Sequence, residues 1–233
     1  LKNILCESKF IGKPGKTAEN IMNTKLLIEK ARTGDFKAQE QLAWCYDKGI
    51  AVRKSYRKAF KLYKKLAAHG NPVILYNLGL CYLLGQGTDR DSEKAFYWAK
   101  KAADSGDADA ALALAWHFHN GLGVKQNYAK AVEWYQKSLK KKESGAGYFS
   151  LGQIAYDTEQ FEVAAKYFLE AKDKFEHPRS SYYLGRMFFE GTGFEKDFKK
   201  AEILLEEASN SGVYKARRLL NSRKFKTALL SRK

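Results

Sequence analysis

A leucine followed by a small residue returns five times along the chain, as Leu42-Ala43, Leu78-Gly79, Leu114-Ala115, Leu151-Gly152 and Leu184-Gly185. An alanine returns in step with it, as Ala59, Ala95, Ala131, Ala164 and Ala201, at spacings of 36, 36, 33 and 37 residues. Self-similarity at this period marks stacked supersecondary units, each of which can bury its apolar face only against a neighbour. That requirement constrains the fold more tightly than any local propensity.

The unit reads most clearly over residues 75–106. Leu75, Leu78 and Tyr82 fall at helical spacing and define the apolar face of a first helix. Gly79 leaves room for a second helix to approach. Gly85 and Gly87 end the first helix, because glycine enters the left-handed C-cap conformation without a Cβ penalty. Asp91 stands where an N-cap belongs, and Ala95, Trp98, Ala99 and Ala102 follow on one face of a second helix. The N-cap slot, four residues before each recurring alanine, holds Ser55, Asp91, Asn127, Gln160 and Asp197. Four of those five are preferred capping types. The expected fold is therefore all-α, a right-handed superhelical solenoid of about five antiparallel helix hairpins with capping helices.

The pattern Leu78-Gly79, Tyr82, Gly85, Gly87, Lys94-Ala95, Trp98, Gly106 resembles the Sel-one-like repeat, a relative of the tetratricopeptide repeat. Gly121, Gly123, Lys130-Ala131 and Trp134-Tyr135 repeat it, as do Leu184-Gly185, Gly191, Gly193 and Lys200-Ala201. The first unit is partial, with Lys48-Gly49 and Lys58-Ala59. The fourth departs: residues 156–160, Tyr-Asp-Thr-Glu-Gln, replace the Gly-x-Gly loop with the shorter turn of a tetratricopeptide unit. The resemblance covers roughly residues 34–220. It implies an adaptor or interaction scaffold, with a bacterial regulator, a host-directed effector and an immunity protein against a secreted toxin all open.

The expected organisation is a non-repeat leader over 1–22, a capping helix over 23–34 beginning at Thr24, and five repeats over 35–212. A C-terminal capping helix and basic tail follow over 213–233. The leader contains the turn Lys13-Pro14-Gly15-Lys16 and lacks the continuous apolar core of a secretory signal, so a cytoplasmic location is expected. No apolar run approaches the ~20 residues of a membrane-spanning helix.

Net charge is +16, a balance compatible with nucleic acid, an anionic membrane or an acidic protein partner. Lysines are spread along the second helices. The densest basic run starts at Val213 and contains Lys215, Arg217, Arg218, Arg223, Lys224, Lys226, Arg232 and Lys233 with no acid. Of the three cysteines, Cys6, Cys45 and Cys81, the last two occupy one slot in successive units. Some families of the kind resembled staple each hairpin with a disulfide. Here stacked hairpins would hold the two about 8–10 Å apart, beyond the roughly 7 Å a disulfide spans, so both are expected as buried free thiols.

Catalytic and metal chemistry find little support. His117 and His119 are two apart on a helix and point to nearly opposite sides. The glycine loops lack the strand and the lysine-serine ending of a phosphate cradle. No cofactor is expected.

Each first helix does carry a second stripe, at two residues before, two after and five after its leucine. Down the units it reads Glu40, Trp44, Asp47; Tyr76, Leu80, Leu83; Leu112, Trp116, His119; Phe149, Gln153, Tyr156; and Tyr182, Arg186, Phe189. In a tetratricopeptide-like superhelix such a stripe lines the concave groove. Contiguous exposed aromatic surface marks partner sites, and Trp, Tyr and Arg dominate interface energy. The candidate partner-binding residues are Trp44, Tyr76, Leu80, Trp116, His119, Phe149, Gln153, Tyr156, Tyr182, Arg186 and Phe189. The expected function is a non-enzymatic protein–protein interaction scaffold that holds a peptide or partner helix, with basic flanks favouring acidic sequences. The alternative is a helical-repeat reader of single-stranded RNA. Against it, the slot two after the leucine reads Trp, Leu, Trp, Gln, Arg, which is no code.

Overall fold

The computed structural model describes residues 18–230, and side chains over 24–228. Cys6, the leader turn and the last three residues lie outside the described residues. Thirteen α-helices and no strand are present among those described. They are α1 (Ala18–Arg32), α2 (Phe36–Lys48), α3 (Tyr56–Leu66), α4 (Pro72–Leu84), α5 (Ser92–Asp104), α6 (Ala108–Asn120) and α7 (Tyr128–Lys141). The rest are α8 (Gly145–Asp157), α9 (Phe161–Phe175), α10 (Pro178–Glu190), α11 (Phe198–Asn210), α12 (Tyr214–Leu220) and α13 (Arg223–Leu230). The all-α reading stands. One correction concerns α1, which starts at Ala18, so Thr24 lies within the helix rather than capping it. The preceding Ala-Glu-Asn-Ile-Met-Asn contains no helix breaker, and a threonine is tolerated in a helix interior at a few tenths of a kcal/mol.

Local chemistry accounts for the helix ends. The side chains of Ser55, Asp91, Asn127 and Asp197 accept hydrogen bonds from Lys58, Lys94, Lys130 and Lys200 backbone N–H groups at 3.4, 2.9, 2.9 and 3.0 Å. Gln160 makes no such bond, as its longer side chain suits the geometry poorly. Between α8 and α9 only residues 158–160 intervene, with Glu159 in the left-handed region at φ 59°. This is the fourth unit's short turn.

The chain divides into two compact units, Leu1–Trp134 and Tyr135–Lys233, and the division falls within α7. In the first unit, Ala59, Ala95 and Ala131, three of the recurring alanines, and Leu78 and Leu114, two of the recurring leucines, are wholly buried; so is Ile74. A satellite cluster of Ala31, Ala38 and Leu42 seats α1 on the first hairpin. Cys45 and Cys81 are buried free thiols, and burial pushes Cys81 up to about 12. In the second unit the core gathers Phe149, Ala164, Phe168, Leu184 and Met187. A second cluster joins Phe189, Ala201, Leu205, Ala208, Ala216 and Phe225. Phe225 is the anchor by which α13 docks, with its ring 4.9 Å from that of Phe189.

The glycine loops have two parts with different physics. The first glycine caps the helix: Gly85 and Gly121 sit at φ 68° and 66° and their N–H groups return to Cys81 and His117 carbonyls. The second glycine touches the preceding hairpin. A Cβ on Gly87 would collide with the Tyr56 carbonyl, and one on Gly123 with the Ser92 carbonyl. Thirty-six residues before Gly87 stands Ala51, also left-handed at φ 62° but exposed. Ala51→Gly should therefore raise stability by about 0.5–1 kcal/mol, since an L-residue in this conformation costs roughly 1–2 kcal/mol and glycine gives back part in chain entropy. Thermal melts check this; a lower melting temperature for the variant would count against it.

Candidate partner-binding surface

The five residues two positions after the repeat leucine are Trp44, Leu80, Trp116, Gln153 and Arg186. All five are partly exposed, neither core nor free surface. The flanking slots behave differently. Tyr76, Phe149 and Phe189, read from the sequence as surface contacts, are core residues at 7, 0 and 5% exposure. Leu83 and Leu112 are buried with them. The reason is geometric. At about 100° per residue, the slots two before and five after the leucine lie about 40° and 60° from the slot two after it, both on the same side. Of these ten residues Tyr76, Leu83, Leu112, Phe149 and Phe189 are buried, whereas Glu40, Asp47, His119, Tyr156 and Tyr182 stay partly exposed.

The second unit displays the neighbouring first helix directly. The Phe149 ring lies 4.5 Å from that of His177 and 5.7 Å from that of Tyr183, and the Arg179 guanidinium stands 4.7 Å over it. All three partners belong to α10 or its N-cap. Tyr156 turns the same way, its ring 5.4 Å from that of Tyr183 and its hydroxyl donating to Glu190 at 3.3 Å. Arg186 donates from Nε to the other Glu190 oxygen at 2.9 Å and holds its guanidinium 5.5 Å from the Tyr156 ring centre. Gln153 donates to the Tyr183 hydroxyl at 3.3 Å, and the Tyr182 and Tyr183 rings meet edge-on at 5.3 Å. Burial raises the Tyr156 and Tyr182 hydroxyls, which stay protonated and able to donate. The result is a half-exposed cluster of three tyrosines, one arginine and one glutamine, oriented by Glu190. Tyr183 and Glu190 escaped the sequence reading. Glu190 had a signal, since it stands four residues after Arg186 on the same helix face.

In the first unit the surface is more apolar. Trp116 packs edge-on against the His117 ring at 5.7 Å, and the Asn120 amide donates to the Trp116 carbonyl at 2.9 Å. His119 sits beside Tyr128, with ring centres 5.6 Å apart. His117 faces inward, 2% exposed, with Nδ1 2.7 Å from the Leu122 carbonyl oxygen, and burial lowers its pKa. It therefore serves the loop and not the surface. Among the described residues, no three or more His, Cys, Asp or Glu side chains gather where they could hold a metal ion. None of the described helices is long and apolar enough to cross a membrane.

The Sel1 repeat model matches residues 36–71, 74–107, 108–142 and 178–213. The chain belongs to the Sel1 repeat family. The hairpin left unmatched is the fourth, the one without the Gly-x-Gly loop. No curated protein sequence matches the chain. Among solved structures, a Sel1 repeat protein from Oxalobacter formigenes is similar at 27% identity and a TM-score of 0.73, over 87% of this chain and 83% of that one. The protective antigen c5321 of uropathogenic Escherichia coli, which displays the Sel1-like repeat fold, aligns at 23% identity and a TM-score of 0.74. That match covers 86% of this chain but only 43% of the antigen, and it speaks for the fold alone. Sel1 repeat proteins are typically protein–protein interaction scaffolds and generally non-catalytic.

Proposed function

We propose that this Sel1 repeat chain is a non-enzymatic scaffold that binds a peptide or partner protein through the half-exposed residues of its first helices. One observation carries the reading. The slot two after the repeat leucine is partly exposed in every hairpin, although it holds side chains as large as Trp44, Trp116 and Arg186. A large side chain left half in water has area still to bury, and tryptophan, tyrosine and arginine are the types that contribute most when a partner buries it. With a net charge of +16, the chain favours partners that are acidic. Regulatory, effector and immunity roles all fit such a scaffold. A cytoplasmic setting is the location proposed for it, in keeping with two reduced thiols.

Trp116→Ala tests the reading. Partner binding should weaken by about 2 kcal/mol, roughly thirtyfold. Stability should fall by only about 1 kcal/mol, as for most substitutions outside the core. Leu114→Ala, wholly buried, is the core control and should lose about 2–5 kcal/mol of stability. The measurement is capture of the partner by wild-type and variant proteins below their melting temperatures. Trp116→Ala melting as low as Leu114→Ala, or retaining full binding, would remove the main anchor of the proposal. Binding of single-stranded RNA with a steep salt dependence would favour the alternative function.

A further inference from the structure

Charge in the second unit is segregated along the chain. Residues 135–212 hold twelve Lys and Arg against thirteen Asp and Glu, whereas residues 213–233 hold eight and none. Six of those eight lie on α12 and α13: Lys215, Arg217, Arg218, Arg223, Lys224 and Lys226. All six side chains are exposed. Among the described residues, none of them lies within ion-pair distance of a carboxylate. The acids of the preceding helix α11 are Glu202, Glu206 and Glu207. Of these, Glu207 is held by the Ser181 hydroxyl at 3.2 Å and the Lys172 ammonium at 3.9 Å. Six like charges on two short helices repel one another, and a polyanion relieves that repulsion.

The two helices are built alike. Ala216 is wholly buried with Lys215 and Arg217 on either side of it, and Phe225 is buried with Lys224 and Lys226 on either side. At about 100° per residue, those flanking side chains leave the buried line in opposite directions, and Arg218 and Arg223 fill the outward side between them. Tyr214 stands one turn before Arg218 on that outward side and is 73% exposed. The inward side is occupied. Ala216 and Phe225 join Phe189, Ala201, Leu205 and Ala208 in one cluster, and the Lys224 ammonium lies 5.7 Å over the Phe189 ring.

We propose that α12 and α13 form a second interaction surface, which binds single-stranded nucleic acid through its phosphates without reading sequence and stacks a base on Tyr214. None of its residues is among the half-exposed residues of the five hairpins, so the proposal goes beyond the scaffold reading. A nucleic-acid strand brings a negative charge with every nucleotide, so a short stretch meets all six cations, and arginine matches phosphate with two parallel hydrogen bonds. An exposed aromatic ring beside basic side chains is a platform for any base, since every base has a π-face. An anionic membrane fits less well, because a helix that lies in a membrane needs a free apolar face, and here that face is docked in the core. An acidic peptide also fits less well, since exposed carboxylate pairs are individually weak and leave Tyr214 without a stacking partner.

Fluorescence anisotropy of a labelled twenty-nucleotide RNA of mixed sequence tests this, with the same nucleotides in scrambled order as a second probe. The two RNAs should bind alike. With six phosphate contacts, the logarithm of the binding constant should fall against the logarithm of salt with a slope of about −4, so affinity should drop roughly two- to threehundredfold between 50 and 200 mM NaCl. Arg217→Gln combined with Arg218→Gln should flatten that slope by about 1.4 and leave the melting temperature unchanged, since both side chains are exposed. Tyr214→Ala should weaken binding about tenfold and leave the slope alone, because a stack releases no counterions. Trp116→Ala should change neither quantity. No binding at 50 mM salt, or a slope untouched by the double arginine variant, would overturn the proposal. Binding lost through Trp116→Ala would place the RNA on the first helices and overturn it too. Tighter binding to vesicles containing phosphatidylserine, or to a blocked polyglutamate chain, than to the RNA would give the surface to a membrane or an acidic protein instead.

Discussion

Gly123→Ala should melt far below Gly70→Ala, although both glycines sit at nearly the same backbone angle, φ 70° and 71°. At Gly70 an added Cβ meets nothing within 4 Å, and the cost is the left-handed conformation alone, about 1 kcal/mol. At Gly123 the same atom would overlap the Ser92 carbonyl and approach the Glu93 nitrogen at 2.8 Å. Those atoms open α5, so the obstacle is backbone and cannot rotate away. Either the loop or the start of α5 must move, at a cost of about 3 kcal/mol on top of the conformational term. For a chain of this size that corresponds to a melting temperature lower by roughly 6–12 °C relative to Gly70→Ala. Equal melting of the two variants would mean that the loop glycine acts only through φ and that the close approach between hairpins contributes nothing.

Phe149→Ala should cost about 3–5 kcal/mol, the usual range for removing a fully buried phenylalanine. The residue is wholly enclosed, with the Phe168 ring at 5.8 Å on its own hairpin and His177 and Tyr183 on the next. Its loss opens a cavity between two hairpins, so the damage should spread beyond one of them. The expected readout is a lower midpoint in urea with Phe149→Leu intermediate, as volume is partly restored. A midpoint like that of the wild type would return Phe149 to the surface and restore the wider stripe expected from the sequence.

These two residues show where the sequence was legible. Gly123 and Phe149 both follow from the period, yet only Gly123 carries its role in its residue type. A glycine two after a capping glycine demands a reason, and the reason proves to be a neighbouring carbonyl. The capping slot was equally readable: Asp91, Asn127 and Ser55 do what short oxygen-bearing side chains do at a helix start, and Gln160, the one atypical type, makes no capping bond. Phe149 differs because an aromatic side chain suits a core and an interface equally well. Hydrophobicity alone cannot separate them, and Tyr76 and Phe189 were misplaced for the same reason. Phe225 is not singled out by the sequence for the opposite reason, since the basic residues around it mark the segment only as a basic tail.

What the sequence by itself determined is therefore the set of local, periodic features: helices, caps, loops, the hairpin repeat and hence the family. Each depends on residues within about one turn or one repeat of each other, where spacing and residue type leave one answer. The tertiary structure decided which side of each first helix a neighbour covers. That depends on a rotation of some 40–60° between stripe positions, too fine for hydropathy to resolve but enough to separate Phe149 from Gln153. It also decided that the junction at Asp47, Tyr63 and Asn77 is open and the one at Leu83, Ala99 and Ala113 is closed. Residues thirty apart form each of these walls, and only packing brings Asp47, Asn77 and the lysines Lys48 and Lys54 to the same cleft.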